Sequence, residues 1–231
     1  MENNGTLDKY IGDAIVAFYG APIDVKEHEL MACRTAIKMQ ERLAELREQW
    51  QAEGDRWPEI VHHMQNRIGI NTGQLVTGNM GSESRMNYTM MGDTVNLAAR
   101  LESSAKQYGI YIQIADSTYE AIQDKVVVRA LDFVKVLGKE EPVKVFELIS
   151  EVGQEPEPYK KILPAFHEAI ALYFNQDWEK AIDAFKAADD LEEMFPGRKT
   201  NPSRIYIPRC EHFKANPPGD DWDGVWTLTS K

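Results

Sequence analysis

The stretch DKYIGDAIVAFYGAP, residues 8–22, joins two apolar runs through Gly12 and Asp13. A Gly-Asp pair suits a two-residue connection in which glycine takes a positive φ, so the stretch predicts a β-hairpin. Asp13 is then either an ordinary turn residue or a carboxylate presented for binding. Lys9 lies four residues before Asp13, and the rest of the sequence has to decide between these two interpretations.

The composition is that of a globular protein. The 231 residues are 43% hydrophobic and 27% charged, so the chain can bury the core of one large domain or two small ones. The 37 acidic residues outnumber the 26 basic ones, and the basic residues are dispersed along the chain. Because binding to a phosphate backbone needs a basic surface, we expect no nucleic-acid partner.

Cysteine usage and hydropathy indicate the compartment. Cys33 and Cys210 are far apart in the sequence, so neither a disulfide framework nor a metal-ligand spacing is predicted. No apolar run reaches the roughly 18 to 20 residues of a membrane span, and the N-terminus lacks a basic region followed by an apolar one. We expect a cytoplasmic location, either for a free protein or for the cytoplasmic part of a longer, membrane-anchored one.

Helical and extended patterns alternate over the first 150 residues. Asp24 and Glu27 form a capping-box pair before a long amphipathic helix that ends near Gly54. The runs 67–71 and 75–79 flank a Thr-Gly pair and predict a second hairpin. This order favours a layered α/β sandwich. The further predicted elements are a strand near Tyr88, a helix capped by Asp93, a strand over 110–114, a short helix over 117–123 and closing strands over 126–136 and 143–149.

The composition changes after Val152. Residues 151–164 contain two Glu-Pro pairs and predict a stiff, solvated linker. The apolar spacing from Ala169 to Phe185 then predicts one tetratricopeptide-like helical hairpin. A single repeat cannot bury its own apolar face, so we expect the hairpin to dock on the first domain or on a protein partner.

The predicted domain organisation follows from these changes. A first domain covers residues 1–150, and the linker leads to a C-terminal part over residues 165–231. In that part, the helical hairpin precedes a segment rich in Pro, Gly and Trp, over residues 202–226. We expect this segment to be an irregular strap held in place by its aromatic side chains.

The densest set of polar candidates lies in the sequence RMNYTMMGDTVNLAARLE. Asn96 and Arg100 are four residues apart on the predicted helix and therefore project from one face. Thr89 ends the preceding strand, beside a loop rich in glycine and serine. These side chains suit a clamp for phosphate and ribose, whereas Arg100 equally suits a surface ion pair with Glu102 or Glu83.

Four motifs occur in order over about residues 6–149: DKYIGDAIVAFYGAP, GINTGQLVTGNMGSESRMNYT, GDTVNLAARLE and GKEEPVKVFEL. Together they resemble the catalytic domain of class III nucleotidyl cyclases, the adenylate and guanylate cyclases. The resemblance implies an α/β (α+β) fold, a ferredoxin-like βαββαβ sandwich. It also implies the synthesis of a cyclic nucleotide in second-messenger signalling, with release of pyrophosphate.

The resemblance implies a role for each matching residue. Asp13 matches one of two metal-binding aspartates, which hold two Mg²⁺ or Mn²⁺ ions over the substrate triphosphate. Lys9 and Thr89 match the pair that reads the base edge, and a lysine with a threonine at these positions favours ATP over GTP. Asn96 matches the residue that orients the ribose, and Arg100 matches the one that steadies charge on the phosphoryl group.

The resemblance also implies a homodimer with shared active sites. In this family one protomer supplies the metal aspartates. The other supplies the two residues that read the base, the asparagine and the arginine. Lys9 and Asp13 would therefore serve opposite sites of a symmetric dimer. In a looser alignment, Lys139 matches a basic residue that contacts the outer phosphates.

The first strand of the family pattern, which carries the first metal aspartate, has no match in this sequence. The backbone amides that cradle the triphosphate and two helices are missing with it. Asp8, Asp24 and Asp93 do not follow an apolar strand of the required kind, so we expect none of them to replace it. A two-metal site with one carboxylate should lose most of its activity, and the sheet should have an unpaired edge.

Three interpretations stay open. The sequence is a C-terminal piece of a longer adenylate cyclase, which we favour because every other matching position is intact. Alternatively, it is an inactive cyclase-like module that binds nucleotide or dimerises. In the third interpretation, the chain is a docking adaptor that acts through its helical tail.

Overall fold

The structure is a computed structural model that describes residues 3–134, 142–192, 198–219, 221–224 and 226. Its strands are β1 (Thr6–Ile11), β2 (Ala14–Phe18), β3 (Ile68–Ile70), β4 (Val76–Ser82), β5 (Arg85–Met91), β6 (Ile112–Ala115), β7 (Val126–Val134) and β8 (Val143–Glu151). Its helices are α1 (His28–Ala52), α2 (Glu59–His62), α3 (Asp93–Tyr108), α4 (Asp116–Ile122), α5 (Tyr159–Phe174), α6 (Trp178–Leu191) and α7 (Pro202–Ala215). None of the helices in these ranges is both long enough and apolar enough to cross a membrane.

The largest sheet has four strands in the order β3-β6-β8-β7. Strand β3 runs parallel to β6, and the other neighbouring pairs are antiparallel. Because successive side chains of a strand point to opposite faces, one strand can supply two cores. On β6, Ile112 and Ile114 pack in the core with α1, whereas Ala115 packs in the core with α3. The predicted layered α/β sandwich is therefore confirmed.

Two hairpins lie outside this sheet. Strand β1 pairs with β2, and β4 pairs with β5, in two separate antiparallel sheets. The rings of Phe18 and Tyr88 approach to 6.1 Å between centroids and connect the two hairpins. The hairpins carry three of the predicted site residues, Lys9, Asp13 and Thr89. The contact therefore places two distant parts of the sequence side by side.

The predicted second hairpin around residues 72–73 is wrong. Strand β3 pairs with β6, and β4 pairs with β5 around a turn at residues 83–84. Side-chain contacts explain why the chain does not fold back after β3. Asn71 donates a hydrogen bond to the carbonyl of Thr94, and Thr72 is hydrogen-bonded to Thr118 at 3.0 Å. These contacts tie the chain to α3 and α4.

Two predicted helix caps are also wrong. The residue before α1 is Glu27, which has a φ of 55° and makes no capping hydrogen bond with its side chain. Its carboxylate instead pairs with Lys125, so the capping box with Asp24 does not form. The residue before α3 is Gly92, which makes Asp93 the first helical residue rather than the cap.

The segment expected to be an irregular strap is helical over Pro202–Ala215. Its first turn is stabilised by the side chain of Asn201, which accepts a hydrogen bond from the backbone N–H of Arg204 at 3.0 Å. Proline suits the first helical position because its missing N–H has no partner there. Tyr206, Cys210 and Phe213 share one buried face of α7, which packs on the other C-terminal helices.

The C-terminal helices are attached to the sheet through buried ion pairs. Arg129 on β7 is fully buried and pairs with Glu147 on β8 at 2.6 Å and with Glu192 after α6. Burial lowers the pKa of Arg129, but Glu147 and Glu192 outweigh this effect and leave its pKa raised. On the same strand, Asp132 accepts hydrogen bonds from Arg209 of α7 and from Tyr108 of α3. These contacts fix the helical part against both β7 and α3.

We predict that Arg129→Ala lowers the free energy of unfolding by about 3–5 kcal/mol, because it leaves the buried carboxylate of Glu147 without a counter-charge and removes one of the two arginines that pair with Glu192. The measurement is urea unfolding followed by circular dichroism. Arg42→Ala is the matched control, since the pair of Arg42 with Glu45 is more than 60% exposed on both sides. This control should change stability by less than about 1 kcal/mol. Similar losses in the two variants would contradict the structural role of Arg129.

Candidate functional site

The first hairpin presents Asp13 at its tip. Ile11 and Ala14 are cross-strand partners, so Gly12 and Asp13 form the two-residue turn. Gly12 has a φ of 62°, as the sequence predicts, and such a φ is strained for a residue with a Cβ. Asp13 is exposed there. The turn therefore holds a carboxylate in solvent at a fixed position.

A β-bulge in β1 brings two adjacent side chains to one place. The pairing with β2 shifts between Leu7 and Lys9, so Asp8 is the extra residue of the bulge. In a regular strand, Asp8 and Lys9 would point to opposite faces. Here both reach the same hydroxyl group, that of Thr89 on β5.

Lys9, Thr89 and Asp8 form a compact hydrogen-bonded group. The Nζ of Lys9 donates to the Oγ1 of Thr89 at 3.0 Å, and this Oγ1 donates to the Oδ2 of Asp8 at 2.9 Å. The Nζ of Lys9 lies 3.4 Å from the same carboxylate oxygen. The side chain of Asp8 is only 3% exposed, whereas that of Lys9 is 46% exposed. The structure thus brings together the two residues that were matched to base reading, from positions 80 residues apart.

Sequence reasoning missed Asp8 as part of this group. It considered Asp8 only as a replacement for a metal ligand. The regular alternation of a strand would point it away from Lys9, and nothing in the sequence marks the bulge that changes its direction. Its position directly before Lys9 was the one available signal.

Asn96 and Arg100 lie on the exposed face of α3. Both are exposed, while Leu97 and Leu101 on the opposite face are buried in the core. The sequence also allowed an ion pair between Arg100 and Glu102. In the structure, Glu102 pairs with Arg67 at 3.2 Å. The face of α3 therefore presents an amide and a guanidinium one turn apart, as the sequence predicts.

The structure describes Asp13 but not Lys139. Lys139 lies outside the described residues, so its match stays a prediction. Asp13 supplies one carboxylate, and oxygen ligands of this kind suit Mg²⁺ or Mn²⁺. Within the ranges that the structure describes, no group of three or more His, Cys, Asp or Glu side chains is placed to hold a metal ion.

The two hairpins also expose large apolar side chains. On a monomeric protein, exposed apolar residues that are grouped together mark an interaction site. Tyr10 and Ile11 of the first hairpin are at least 60% exposed. The others on the hairpins are Ile15, Val76, Met86, Tyr88 and Met91.

The match to a known family covers most of the first part of the chain. The model of the adenylate and guanylate cyclase catalytic domain matches residues 7–150. The chain therefore belongs to this family, as its four motifs predict.

Named relatives agree with this assignment. Adenylate cyclase, terminal-differentiation specific, from Dictyostelium discoideum is 36% identical over 213 residues, which is 90% of this chain and 9% of that protein. Adenylate cyclase 1 from Rhizobium meliloti is 34% identical over 150 residues, which is 65% of this chain and 22% of that protein. The chain thus spans less than a quarter of the length of these two relatives.

Solved structures show the same fold. The adenylyl cyclase CyaB from P. aeruginosa is 32% identical with a TM-score of 0.56, covering 67% of this chain and 76% of that chain. The guanylyl cyclase Cya2 is 33% identical with a TM-score of 0.55, covering 66% of this chain and 74% of that chain. An adenylyl cyclase and a guanylyl cyclase are thus about equally similar to this chain. The choice between adenine and guanine therefore has to be argued from the site.

The position of α3 depends on one close backbone contact. A Cβ added at Gly69 of β3 would overlap the carbonyl oxygen of Ala98 and the amide nitrogen of Glu102, both in the backbone of α3. Only glycine allows β3 to approach the helix this closely. The same approach sets the height of Asn96 and Arg100 above the sheet.

We predict that Gly69→Ala lowers the free energy of unfolding by about 2–3 kcal/mol, because α3 has to move away from β3. Chemical denaturation followed by circular dichroism measures the change. The control is Gly78→Ala in β4, where an added Cβ has nothing within 4 Å. Equal stability of Gly69→Ala and Gly78→Ala would show that the close contact is not needed.

Proposed function

We propose that this chain is the catalytic region of an adenylate cyclase, which converts ATP to 3′,5′-cyclic AMP and pyrophosphate. The observation that carries the proposal is the hydrogen bond between Lys9 and Thr89, which joins two hairpins in a chain of the cyclase family. The names of the Dictyostelium and Rhizobium relatives support the same activity.

The reaction is an attack of the ribose 3′-hydroxyl on the α-phosphorus, with pyrophosphate leaving on the opposite side. The protein mainly has to position the reactants and to compensate charge. In the proposal, Lys9 and Thr89 hold the base, and Asn96 orients the ribose. Arg100 compensates negative charge on the phosphoryl oxygens, and Lys139 contacts the outer phosphates.

We assign metal binding to Asp13. Its exposed carboxylate fits Mg²⁺ or Mn²⁺ as one oxygen ligand, while the described residues alone do not complete a site for two ions. When bound, such ions lower the pKa of an attacking hydroxyl and compensate charge on the leaving group. The first metal aspartate, on a strand that would precede Thr6, stays a prediction.

The active form that we propose is a homodimer with two shared sites. Lys9 and Asp13 are on one hairpin, and in the family arrangement they would face opposite sites. The exposed apolar side chains of the two hairpins support burial against a second copy of this chain. A symmetric dimer would pair these surfaces and complete both sites at once.

The adaptor alternative is less well supported than the catalytic one. Phe166, Phe185 and Tyr206, from the three C-terminal helices, are buried in one internal cluster. Their apolar faces are thus already occupied within the chain. A partner of the tail would have to bind the faces of these helices that the cluster leaves exposed. An inactive nucleotide-binding module keeps the same site and differs only in turnover.

The test is cyclic AMP production from ATP with Mn²⁺, by this chain and by a version extended upstream through the expected first strand. We predict activity in the extended version, and Asp13→Ala should lower it about 100-fold or more because charge compensation is lost. Asp55→Asn, which changes an exposed carboxylate just after α1, is the control and should keep full activity.

Each outcome separates the candidate functions. Activity that depends on Asp13 supports the adenylate cyclase. Absence of cyclic AMP in both versions, with ATP still bound, would favour the inactive module. Activity that survives Asp13→Ala unchanged would contradict the assignment of this residue as a metal ligand.

A further inference from the structure

We propose that Asp8 is a positioning residue that fixes the direction of the hydrogen bond made by Thr89 and so makes the site select a purine with an amino group at position 6. This inference rests on the proposed function, because it concerns the same base-binding pair. It adds a residue that was not matched to any part of the family site.

The geometry assigns each hydrogen of the group. A threonine hydroxyl has one proton to donate and two lone pairs to accept with. The proton of Thr89 goes to Asp8 at 2.9 Å, because a carboxylate can only accept. One lone pair accepts from Lys9 at 3.0 Å. The group that Thr89 still offers to a ligand is its second lone pair, so towards the ligand Thr89 is an acceptor.

Burial makes this assignment firm. The side chain of Asp8 is 3% exposed, so a bond with Thr89 is not readily exchanged for one with water. The ammonium of Lys9 compensates the buried carboxylate at 3.4 Å. Lys9 is half exposed and has three N–H donors, so one of them can still point towards a ligand.

This pattern of one acceptor and one donor distinguishes two kinds of purine. Adenine offers an amino donor at position 6 and a ring-nitrogen acceptor at position 1, which match Thr89 and Lys9. A 6-oxo purine, such as guanine or hypoxanthine, offers a carbonyl acceptor and a ring N–H donor at these positions. Acceptor would then face acceptor and donor would face donor, which leaves polar groups unpaired where the ligand covers them.

Asparagine at position 8 would remove the constraint while keeping the shape. Its amide has both donors and an acceptor, so it can donate to Thr89 as well as accept from it. Thr89 could then turn its own proton towards a 6-oxo group. The direction of one hydrogen bond, rather than the presence of the threonine, is thus the basis of the selectivity.

The test compares binding of ATP and inosine 5′-triphosphate, which carries a 6-oxo group and lacks the 2-amino group of GTP. Isothermal titration calorimetry gives both dissociation constants for the wild-type chain and for Asp8→Asn. We expect the ratio of the two affinities, which favours ATP in the wild type, to fall about tenfold in Asp8→Asn. This is the effect of losing one directed hydrogen bond. Asp55→Asn removes an exposed carboxylate instead and should keep the wild-type preference.

A second comparison separates positioning from a general structural effect. Thr89→Val removes the hydroxyl and keeps the shape of the side chain. If Asp8 acts through Thr89, Asp8→Asn should not change the preference further in the Thr89→Val background. Thermal unfolding of each variant reports stability separately, and a change of stability alone does not alter the ratio of the two affinities.

The outcomes distinguish this inference from the proposed function. If the wild type prefers ATP and Asp8→Asn keeps that preference, the inference is wrong and the proposed function stands. Additive effects of Asp8→Asn and Thr89→Val would also contradict it. If neither the wild-type chain nor its upstream-extended version binds either nucleotide, the proposed function fails and the inference fails with it.

Discussion

Burial of the four-stranded sheet on both faces is the constraint on which the rest of the structure depends. Side chains of β6 and β8 alternate between a core with α1 and a core with α3. Because α3 is held on one of these faces, it can present Asn96 and Arg100 on its other side. The C-terminal helices cover the same sheet beside α3, where Arg129 and Asp132 bind them through buried charges. The helix α3 and the C-terminal helices are therefore parts of one packed unit.

The candidate site uses regular and irregular structure for different purposes. The rigid helix α3 carries the groups proposed for ribose and phosphate. The two residues proposed to read the base, Lys9 and Thr89, depend instead on a bulge in β1. The bulge turns Asp8 and Lys9 towards one hydroxyl of β5. A bulge is a local way to redirect a side chain without moving a whole strand. It gives the two hairpins a polar contact beside the aromatic contact of Phe18 and Tyr88.

Much of the fold followed from local sequence signals. The hairpin turn at Gly12 and the helices α1 and α3 depend on turn chemistry and on apolar periodicity, which act over a few residues. The pairing of β3 with β6 could not be predicted in this way, because contacts across the fold determine it. The helix α7 was also missed, since its composition of Pro and aromatic residues resembles an irregular segment until a buried face is known. The same limit of local sequence signals applies to the candidate site. Lys9 and Thr89 were found by their motifs, whereas the position of Asp8 depends on a bulge that the sequence does not mark.

The most direct test of the central claim is a competition between the two substrates. The upstream-extended chain would be given ATP and GTP in equal amounts with Mn²⁺, and both cyclic products would be separated by chromatography and identified by mass spectrometry. The account predicts that cyclic AMP is the main product, because Lys9 and Thr89 present a donor and an acceptor that match adenine. Predominant formation of cyclic GMP would contradict it.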